Sequence, residues 1–467
     1  MSNFKPLARS FSAAEGQPAS PLGPTEKFFN DPLHGYIAFD SFCTGVIDTP
    51  QFQRLRYLKQ LGASYFVFPG ASHNRFEHCL GVGYLAGNLV RRFQESQPEL
   101  GITKRDVRCV QVAGLCHDLG WTHEQGSQMM FEYMVDDNYL DLDQQDVRFI
   151  NDLIVGKPSS QGAKSQEKLF LFDIVANQRN GVDVDKFDYL GRDCYNVGLK
   201  SSCDSSRLMI ASRVIDDQIC YHHKEVYNLY DMFHTRFSLF KRIYTHRVES
   251  AIELMIVDAL VQAEPELQLI EALRDPERYL NLTDDILRDI ERSRGPELAS
   301  ARALLKRLRR RDLYRFVDEV VLPGHLRGTL TKRHINAEAV VAHQGDNAHL
   351  TVDDVTLKWY NLNFGKNDEN PVDSIRFYSK FDDRRCFAVP QDAVSYVIPT
   401  HFSEVTVRVY TRDASKANVV QSAFRRLMRE WINLPDSPKV QLVSNRGNDM
   451  PGNMEGPRKR RLEFPAA

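Results

Sequence analysis

The sequence predicts a mainly α-helical protein with a smaller α+β lobe at its C-terminal end. From Lys27 to about Phe316, apolar residues recur mainly at the spacing of helix faces. Beyond about Val321 the pattern changes to short runs in which apolar and polar residues alternate, which is typical of half-buried strands. A chain of 467 residues is long enough for two or three domains with sizeable cores. We therefore expect a helical core followed by one lobe of mixed structure.

The first part of the chain divides into a leader and the helical core. Residues 1–26 are rich in Pro, Ser, Ala and Gly and carry no apolar run, so we expect a disordered leader and not a signal peptide. The helical core is expected to span 27–325. Helices are predicted within it at residues 52–61, 80–85, 106–117 and 301–311. Gly120 follows the third of these helices and is a typical helix stop.

The C-terminal lobe is expected to span 326–433. Strands are predicted within 350–360, 386–389 and 405–410, and a helix that packs on them is predicted at 417–431. Residues 434–467 are rich in Pro, Asn, Gly and charged side chains, which predicts a disordered tail.

Composition limits the location and the partners of the chain. The formal net charge of -2 gives no overall preference for nucleic acid or for a membrane. No stretch of about 18 apolar residues is present, so we expect no transmembrane helix and no membrane partner. The eight cysteines are scattered, which is typical of reduced thiols. We expect the protein in the nucleus, with the cytoplasm as the alternative.

Two histidines and two aspartates are candidate ligands for one metal ion. His117 and Asp118 close the apolar run VQVAGLC, while His78 lies upstream and Asp185 downstream. Imidazole nitrogens and carboxylate oxygens with open coordination positions suit a hydrolytic zinc, iron or manganese site. Adjacent side chains on a helix diverge by about 100°, so His117 and Asp118 can share an ion only near a helix end. The alternative is that each residue is structural, such as a hydrogen-bonded core histidine.

A second group of residues suits a nucleotide. Tyr189 and Asp193 lie on the same face of a predicted helix as Asp185, since they follow it at intervals of four residues, and Lys186 lies beside that face. The ammonium of Lys186 suits a phosphate chain, the ring of Tyr189 a sugar or base, and the carboxylate of Asp193 a sugar hydroxyl. Arg236 adds a second possible phosphate contact. The alternative is an amphipathic helix whose charges are solvated.

Four strings of sequence carry a family resemblance. They are IDTPQFQRLRYLKQLG at 47–62, FPGASHNRFEH at 68–78, DVDK at 183–186 and LYDMFHTR at 229–236. Together they closely resemble the vertebrate SAM and HD domain-containing deoxynucleoside triphosphate triphosphohydrolase family. The resemblance extends from about Lys27 to about Trp431.

The resemblance implies an HD-domain helical core and the hydrolysis of a deoxynucleoside triphosphate to the deoxynucleoside and inorganic triphosphate. Water would attack the α-phosphorus with the assistance of one metal, which is zinc, iron or manganese, and magnesium would accompany the nucleotide. The metal ligands implied are His78, His117, Asp118 and Asp185. The positions that match the family's substrate pocket are Gln60, Leu61, Arg75, Lys186, Tyr189, Asp193, Arg236 and Tyr244. Arg75 is expected to act in catalysis by holding a phosphate, and Tyr189 is expected to crowd the 2′ position and favour deoxyribose.

The chain departs from the family pattern beside the predicted metal ligands. The family motif HD-x-G-H-G-P-F-S-H continues through a further stretch to W-T-H-E-Q-G, whereas Gly120 is here joined directly to Trp121. The absent stretch carries histidines, one of which is the expected proton donor to the leaving group. His123 remains as the candidate catalytic acid. A general acid contributes about 10²–10⁴-fold, so we expect catalysis to be weakened or lost in this variant. The leader is also too short for a SAM domain.

The resemblance also implies regulation by nucleotides. In the family, guanine and deoxynucleoside triphosphates bind between subunits and join dimers into tetramers, so GTP and dNTPs are the expected activators and a homodimer or homotetramer the expected assembly. The matching positions are Lys27, Phe28, Asn30, Asp48, Gln53, Arg56, Val67, Phe68, Arg207, His222, Lys224, Asn228, His246, Arg247, Arg311, Arg315 and Lys380. The residue type is unusual at Phe28, His222, Arg247 and Arg315. His222 replaces an arginine, whereas Arg247 and Arg315 keep the cation.

Two further functions stay open at this point. A non-catalytic member could bind nucleotides and co-assemble with active subunits as a regulator. A binder of single-stranded RNA or DNA could use the basic helix at 301–311 and the basic tail. Within the tail, Ser437 precedes a proline and RKRRLEF at 458–464 fits a cyclin-docking or nuclear import sequence, so a cyclin-dependent kinase is a candidate partner.

Overall fold

The structure is a computed structural model that describes residues 26–120, 125–159, 168–346 and 348–432. Apart from Glu26, the predicted leader lies outside these residues. The predicted tail, with its candidate phosphorylation and docking sequences, also lies outside them.

The described residues are mainly α-helical, which confirms the predicted fold class. The helices that precede residue 240 are α1 (Ser41–Ile47), α2 (Pro50–Gln53), α3 (Arg75–Ser96), α4 (Lys104–Cys116), α5 (Gln125–Asp137), α6 (Gln144–Val155), α7 (Phe172–Val175), α8 (Val184–Val197), α9 (Ser205–Ile210) and α10 (Val226–Leu239). A π-helical turn at Phe240–Tyr244 extends α10. The later helices are α11 (Arg247–Leu267), α12 (Leu269–Ala272), α13 (Pro276–Leu280), α14 (Ile286–Arg292), α15 (Ala299–Arg309), α16 (Ala337–Ala342) and α17 (Ala417–Trp431). Within the described ranges, we find no helix with the length and apolar character needed to span a bilayer.

The described strands form three sheets. The first is an antiparallel hairpin of β1 (Lys27–Asp31) and β2 (Gly35–Phe39). The second has the order β3 (Ser212–Ile215), β4 (Gln218–His222), β7 (Phe377–Ser379) and β8 (Asp382–Phe387), in which β4 and β7 are parallel. The third has the order β5 (Arg315–Val321), β9 (Ser403–Thr411) and β6 (Thr356–Asn363) and is antiparallel throughout.

The single helix predicted at 52–61 is wrong. A short 3-10 turn follows α2, and Leu58 then has extended backbone angles. The amide of Arg75 donates to the carbonyl of Leu58 at 2.9 Å, and the amide of Gln60 donates to the carbonyl of His73 at 3.0 Å. These bonds to the segment before α3 replace the helical bonds, so the apolar spacing indicated burial but not the backbone conformation.

The C-terminal lobe takes its first strand from before residue 325. β5 pairs with one edge of β9, and β6 pairs with the other edge. α17 covers this sheet through buried residues that include Phe424 and Leu427. The chain between β6 and β9 returns to the helical core, where Phe364 and Phe377 join the main buried cluster.

The ends of three helices meet inside the helical core. α3 packs against both α4 and α8. The close approach of α8 depends on Gly81 in α3, because a Cβ atom there would lie 1.9 Å from Oδ1 of Asp188. The first turn of α3, the last turn of α4 and the first turn of α8 therefore bring their side chains to one place.

Candidate metal centre and its cavity

Three of the predicted metal ligands form one cluster. His78 lies in the first turn of α3, His117 follows the last residue of α4, and Asp185 lies in the first turn of α8. One ligand atom from each lies within 4.8 Å of the other two. Oδ1 of Asp185 is 3.1 Å from Nε2 of His78 and 3.5 Å from Nε2 of His117. Two imidazoles and a carboxylate in this arrangement suit a divalent metal.

The second nitrogen of each imidazole is held by the protein. Nδ1 of His78 lies 2.8 Å from Oδ2 of Asp188, and Nδ1 of His117 lies 2.9 Å from the carbonyl oxygen of Gly114. Both partners are acceptors, so each Nδ1 carries the proton and donates. Each Nε2 therefore faces Asp185 and is the nitrogen that would give its lone pair to a bound metal.

Asp188 is the central support of this cluster. It is completely buried and accepts from Arg192 through both Nε and a terminal nitrogen, each at 2.8 Å. It also contacts Nε2 of His34 at 2.7 Å. Asp188 is not among the residues predicted from the sequence, although its spacing of four residues from Arg192 on the helix of Asp185 indicates an ion pair.

The charges around His78 favour a cation at this position. Burial alone would lower its pKa, but the carboxylates of Asp185 and Asp188 outweigh burial and raise the pKa of His78 to about 10. Burial also opposes ionisation of Asp188, yet the guanidinium of Arg192 holds the pKa of that carboxyl well below its usual range. The surroundings thus stabilise positive charge, and the donor set fits a bound metal.

Asp118 lies outside the three-residue cluster. Its carboxylate is 3.3 Å from the guanidinium of Arg75, which also donates to the carbonyl oxygens of Asp118 and Gly120. The physical reason is that the backbone is still helical at His117, so the two neighbouring side chains diverge, and His117 points to Asp185 while Asp118 points to Arg75. A fourth ligand at Asp118 stays a prediction.

The cluster opens into a cavity of about 790 Å³. Every residue predicted for the substrate pocket lines this cavity together with the four predicted metal ligands. These residues are Gln60, Leu61, Arg75, His78, His117, Asp118, Asp185, Lys186, Tyr189, Asp193, Arg236 and Tyr244. They come from distant parts of the sequence, so the fold brings the two predicted groups into one site.

Two cations of the cavity are fixed by contacts on its wall. Nζ of Lys186 is 3.0 Å from the carboxylate of Asp183, which outweighs burial and raises the pKa of Lys186. Arg236 donates to the carbonyl of Asn363 at 2.8 Å. Oε1 of Gln60, by contrast, is buried and has no hydrogen-bond partner among the described residues. Fixed cations suit the phosphates of a ligand, and the unsatisfied Oε1 of Gln60 can accept from a donor such as a sugar hydroxyl.

Asp193 links the wall of the cavity to the segment before α3. It lies 2.7 Å from Nε2 of His73 and accepts a hydrogen bond from the hydroxyl of Tyr244. Tyr189 lines the cavity nearby, and burial raises its pKa to about 12, so its hydroxyl is neutral.

Gly120, which follows α4, lies against the first residues of α5. His123, the candidate catalytic acid, lies outside the described residues. A Cβ atom on Gly120 would lie 2.0 Å from the backbone carbon of Gly126 and 2.3 Å from the backbone nitrogen of Ser127. The amide of Gly120 donates to Oγ of Ser127 at 3.1 Å. The backbone at Gly120 therefore leaves no room for a side chain.

The predicted allosteric residues fall into three groups in the structure. The first group lies on β1 and around α2 and contains Lys27, Phe28, Asn30, Asp48, Gln53 and Arg56. Lys27 forms an ion pair with Asp48 at 2.6 Å, and Nε of Arg56 donates to Gln53 at 2.8 Å.

The second group surrounds the start of α11 and contains Val67, Phe68, His246, Arg247, Arg311 and Arg315. The rings of Phe68 and His246 meet edge to face at 5.5 Å. Arg311 donates to the carbonyl of Phe66 at 3.1 Å, and Arg247 lies over the ring of Phe316.

The third group surrounds the start of α10 and contains Arg207, His222, Lys224, Asn228 and Lys380. Glu225 joins two of its members, since it contacts Arg207 at 2.7 Å and Asn228 at 3.2 Å. The amide of Lys224 donates to Nδ1 of His222 at 3.3 Å.

The basic helix predicted at 301–311 corresponds to α15. Two of its arginines are paired with acids, Arg307 with Asp312 at 2.8 Å and Arg309 with Glu291 at 2.7 Å. Nucleic-acid binding through this helix stays a prediction.

Comparison with known proteins identifies the family. Residues 75–144 match the HD domain family, a range that starts with α3 and includes His78 and His117. The chain is 42% identical over 438 residues to the deoxynucleoside triphosphate triphosphohydrolase SAMHD1 homolog of Dictyostelium discoideum, an alignment that covers 89% of this chain and 82% of that protein. It is 40% identical over 473 residues to deoxynucleoside triphosphate triphosphohydrolase SAMHD1 of Bos taurus, with coverage of 90% and 80%. It is 40% identical over 464 residues to the Homo sapiens protein of that name, with coverage of 87% and 73%. These matches confirm the resemblance found in the sequence, and the chain belongs to the SAMHD1 family of deoxynucleoside triphosphate triphosphohydrolases.

Proposed function

We propose that this chain hydrolyses deoxynucleoside triphosphates to deoxynucleosides and inorganic triphosphate. The observation that carries the proposal is that the cluster of His78, His117 and Asp185 and the predicted substrate residues line one cavity of about 790 Å³. The relatives at about 40% identity are named deoxynucleoside triphosphate triphosphohydrolases, and the proposed reaction is taken from those names.

The metal of this reaction would be held by Nε2 of His78, Nε2 of His117 and the carboxylate of Asp185, with Asp118 as the proposed fourth ligand. When bound, zinc, iron or manganese would supply Lewis-acid polarisation of the α-phosphate and acidification of water. Asp188 and the carbonyl of Gly114 keep both imidazoles in the required tautomer. Magnesium would enter with the nucleotide.

The chain's own cations would bind the phosphates. Lys186 and Arg236 line the cavity beside His117 and Asp185, and Arg75 lines it beside Asp118. Phosphoryl transfer depends mainly on positioning and on neutralising charge, so three cations on fixed supports suit this reaction. Tyr189 and the Asp193–Tyr244 pair would contact the sugar, where the ring of Tyr189 would exclude a 2′-hydroxyl.

Turnover is proposed to be lower than in relatives that keep the stretch after the HD pair. The contact of Gly120 with the start of α5 supports a short connection here, and His123 would have to act as the proton donor from within it. GTP and dNTPs are proposed to activate the chain by joining dimers into tetramers through the three groups of allosteric residues described above.

Product analysis tests the proposal. The metal-loaded chain is incubated with each dNTP, with and without GTP, and deoxynucleoside and inorganic triphosphate are measured. We expect both products in equal amounts, a rise with GTP, and loss of both with Asp185→Asn but not with the exposed control Asp392→Asn. Release of monophosphate and pyrophosphate would contradict the assignment, and tight nucleotide binding without any product would identify the non-catalytic regulator instead.

A further inference from the structure

One buried carboxyl of the cavity lies outside the residues proposed to hold the metal and the phosphates. Glu249 lies in the first turn of α11, is 3% exposed and lines the cavity together with Glu253, which follows one turn later. Oε2 of Glu249 is buried and has no N–H or O–H partner among the described residues. A buried carboxyl oxygen without a donor is costly, so its presence in a cavity wall points to a ligand.

Helix capping does not explain why the carboxyl of Glu249 is buried. A glutamate in the first turn often accepts from the amide of the N-cap residue. Here the N-cap is His246, and its amide already donates to the carbonyl of Ile243 at 3.0 Å. The N-cap is therefore satisfied without Glu249.

The cavity has opposite electrostatic character at its two ends. Lys186 and Arg236 are shared with a smaller neighbouring cavity at the metal end, which also includes His117 and Asp185. Glu253, Asp284 and Lys59 are shared with a different neighbouring cavity at the other end. Nζ of Lys59 donates to the carbonyl of Ser72 and to Asn74, and the two carboxyls leave this end with a net negative charge. A nucleoside triphosphate would place its phosphates at the cationic end and its base toward the carboxyls.

Glu249 and Glu253 present hydrogen-bond acceptors to a ligand in the cavity. Glu249 and Glu253 lie one helical turn apart and line the same cavity. Burial, followed by the charge of Glu253 and a hydrogen bond to it, raises the pKa of Glu249 to about 9, so the pair holds one proton at neutral pH. The cations that face the pair are Lys358, which is paired with Glu253, and Arg408, which is paired with Glu319. With one proton held between the two carboxyls, the remaining oxygens can only accept.

We propose that Glu249, supported by Glu253, reads the nucleobase by accepting a hydrogen bond from the amino group that adenine and cytosine carry at equivalent positions. Guanine and thymine carry a carbonyl oxygen there, which is also an acceptor and would face the carboxyl without a proton between them. The inference rests on the proposed function and narrows its substrates to a preference for dATP and dCTP over dGTP and dTTP.

Substrate competition tests the preference. We expect kcat/KM to be about 3- to 10-fold higher for dATP and dCTP, the range of one neutral hydrogen bond. Glu249→Gln, whose amide can present either a donor or an acceptor, and Glu249→Ala are expected to bring the ratio near one while dTTP is still hydrolysed. Glu266→Gln, an exposed glutamate of the same helix, is the matched control and should keep the wild-type ratio.

The outcomes separate this inference from the proposed reaction. If no dNTP is hydrolysed, the proposed reaction is disproved. The base preference is then measured by binding, as the ratio of the Kd values of the four intact dNTPs. A ratio near one in the wild-type chain overturns the inference, as does an unchanged ratio in folded Glu249→Gln. Thermal unfolding of each variant shows that it is folded, and a merely structural Glu249 would change Tm but not the base ratio.

Discussion

Asp188 fixes the orientation of His78 through a hydrogen bond of 2.8 Å between its Oδ2 and Nδ1 of the imidazole. The same carboxylate is held by Arg192 at 2.8 Å, and Arg192 is held in turn by Asp31 at 2.8 Å. The chain of buried contacts ties the metal cluster to the end of β1. A ligand histidine supported in this way binds metal more tightly, because its ring cannot turn away.

Replacing Asp188 is expected to weaken metal binding without removing any ligand. Asp188→Asn keeps the shape but loses the charge that orients His78, so we expect the affinity for the metal to fall by about 10–100-fold. Metal content after dialysis against a graded chelator measures this, with the exposed Asp392→Asn as control. Wild-type metal affinity in folded Asp188→Asn would contradict the supporting role.

The metal cluster could be predicted from sequence only in part. His78, His117 and Asp185 are recognisable by residue type, and the structure places them together. Asp188 was missed because the histidine that it supports lies 110 positions away, and its spacing of four residues from Arg192 indicates only an ion pair on one helix.

Gly120 is expected to tolerate no side chain. Gly120→Ala would place Cβ 2.0 Å from the backbone of Gly126, so the start of α5 must move, and we expect a loss of about 3 kcal/mol or more in the free energy of unfolding. Gly45→Ala in α1 is the matched control, since nothing lies within 4 Å of its Cβ, and it should stabilise by about 0.5–1 kcal/mol. Urea denaturation measures both, and equal stability of the two variants would disprove the close contact.

The burial of Glu249 is expected to make stability depend on pH. Its pKa is about 9 in the folded chain against an ordinary value of 4.5, so between these values the folded state holds a proton that the unfolded state has lost. The contribution of Glu249 to stability therefore falls as pH rises through this window. Glu249→Gln carries no such proton, and its stability relative to wild type should rise by about 1–3 kcal/mol from pH 5 to pH 8.

Denaturation of both chains at several pH values checks this sign. The charged neighbours Glu253, Lys358 and Arg408 are present in both chains, so their titration largely cancels in the difference. A difference that is constant with pH would show that Glu249 is ionised in the folded chain.

The fold was predictable where a segment obeys one local pattern. α17 covers Ala417–Trp431, the predicted range, because one strongly apolar face packs on the sheet. The segment at 52–61 has similar spacing but bonds instead to the loop before α3, and β5 was missed because its partner β9 lies more than eighty residues later. The spacing of apolar residues within one segment does not predict which distant segment it pairs with.

The most direct test of the account is to measure metal and products in the same preparation. The wild-type chain, loaded with iron, manganese or zinc, should bind one metal ion at the cluster and release deoxynucleoside and inorganic triphosphate in equal amounts, and Asp185→Asn should lose both the metal and the products. Triphosphate release that persists at the wild-type rate in metal-free Asp185→Asn would contradict the central claim.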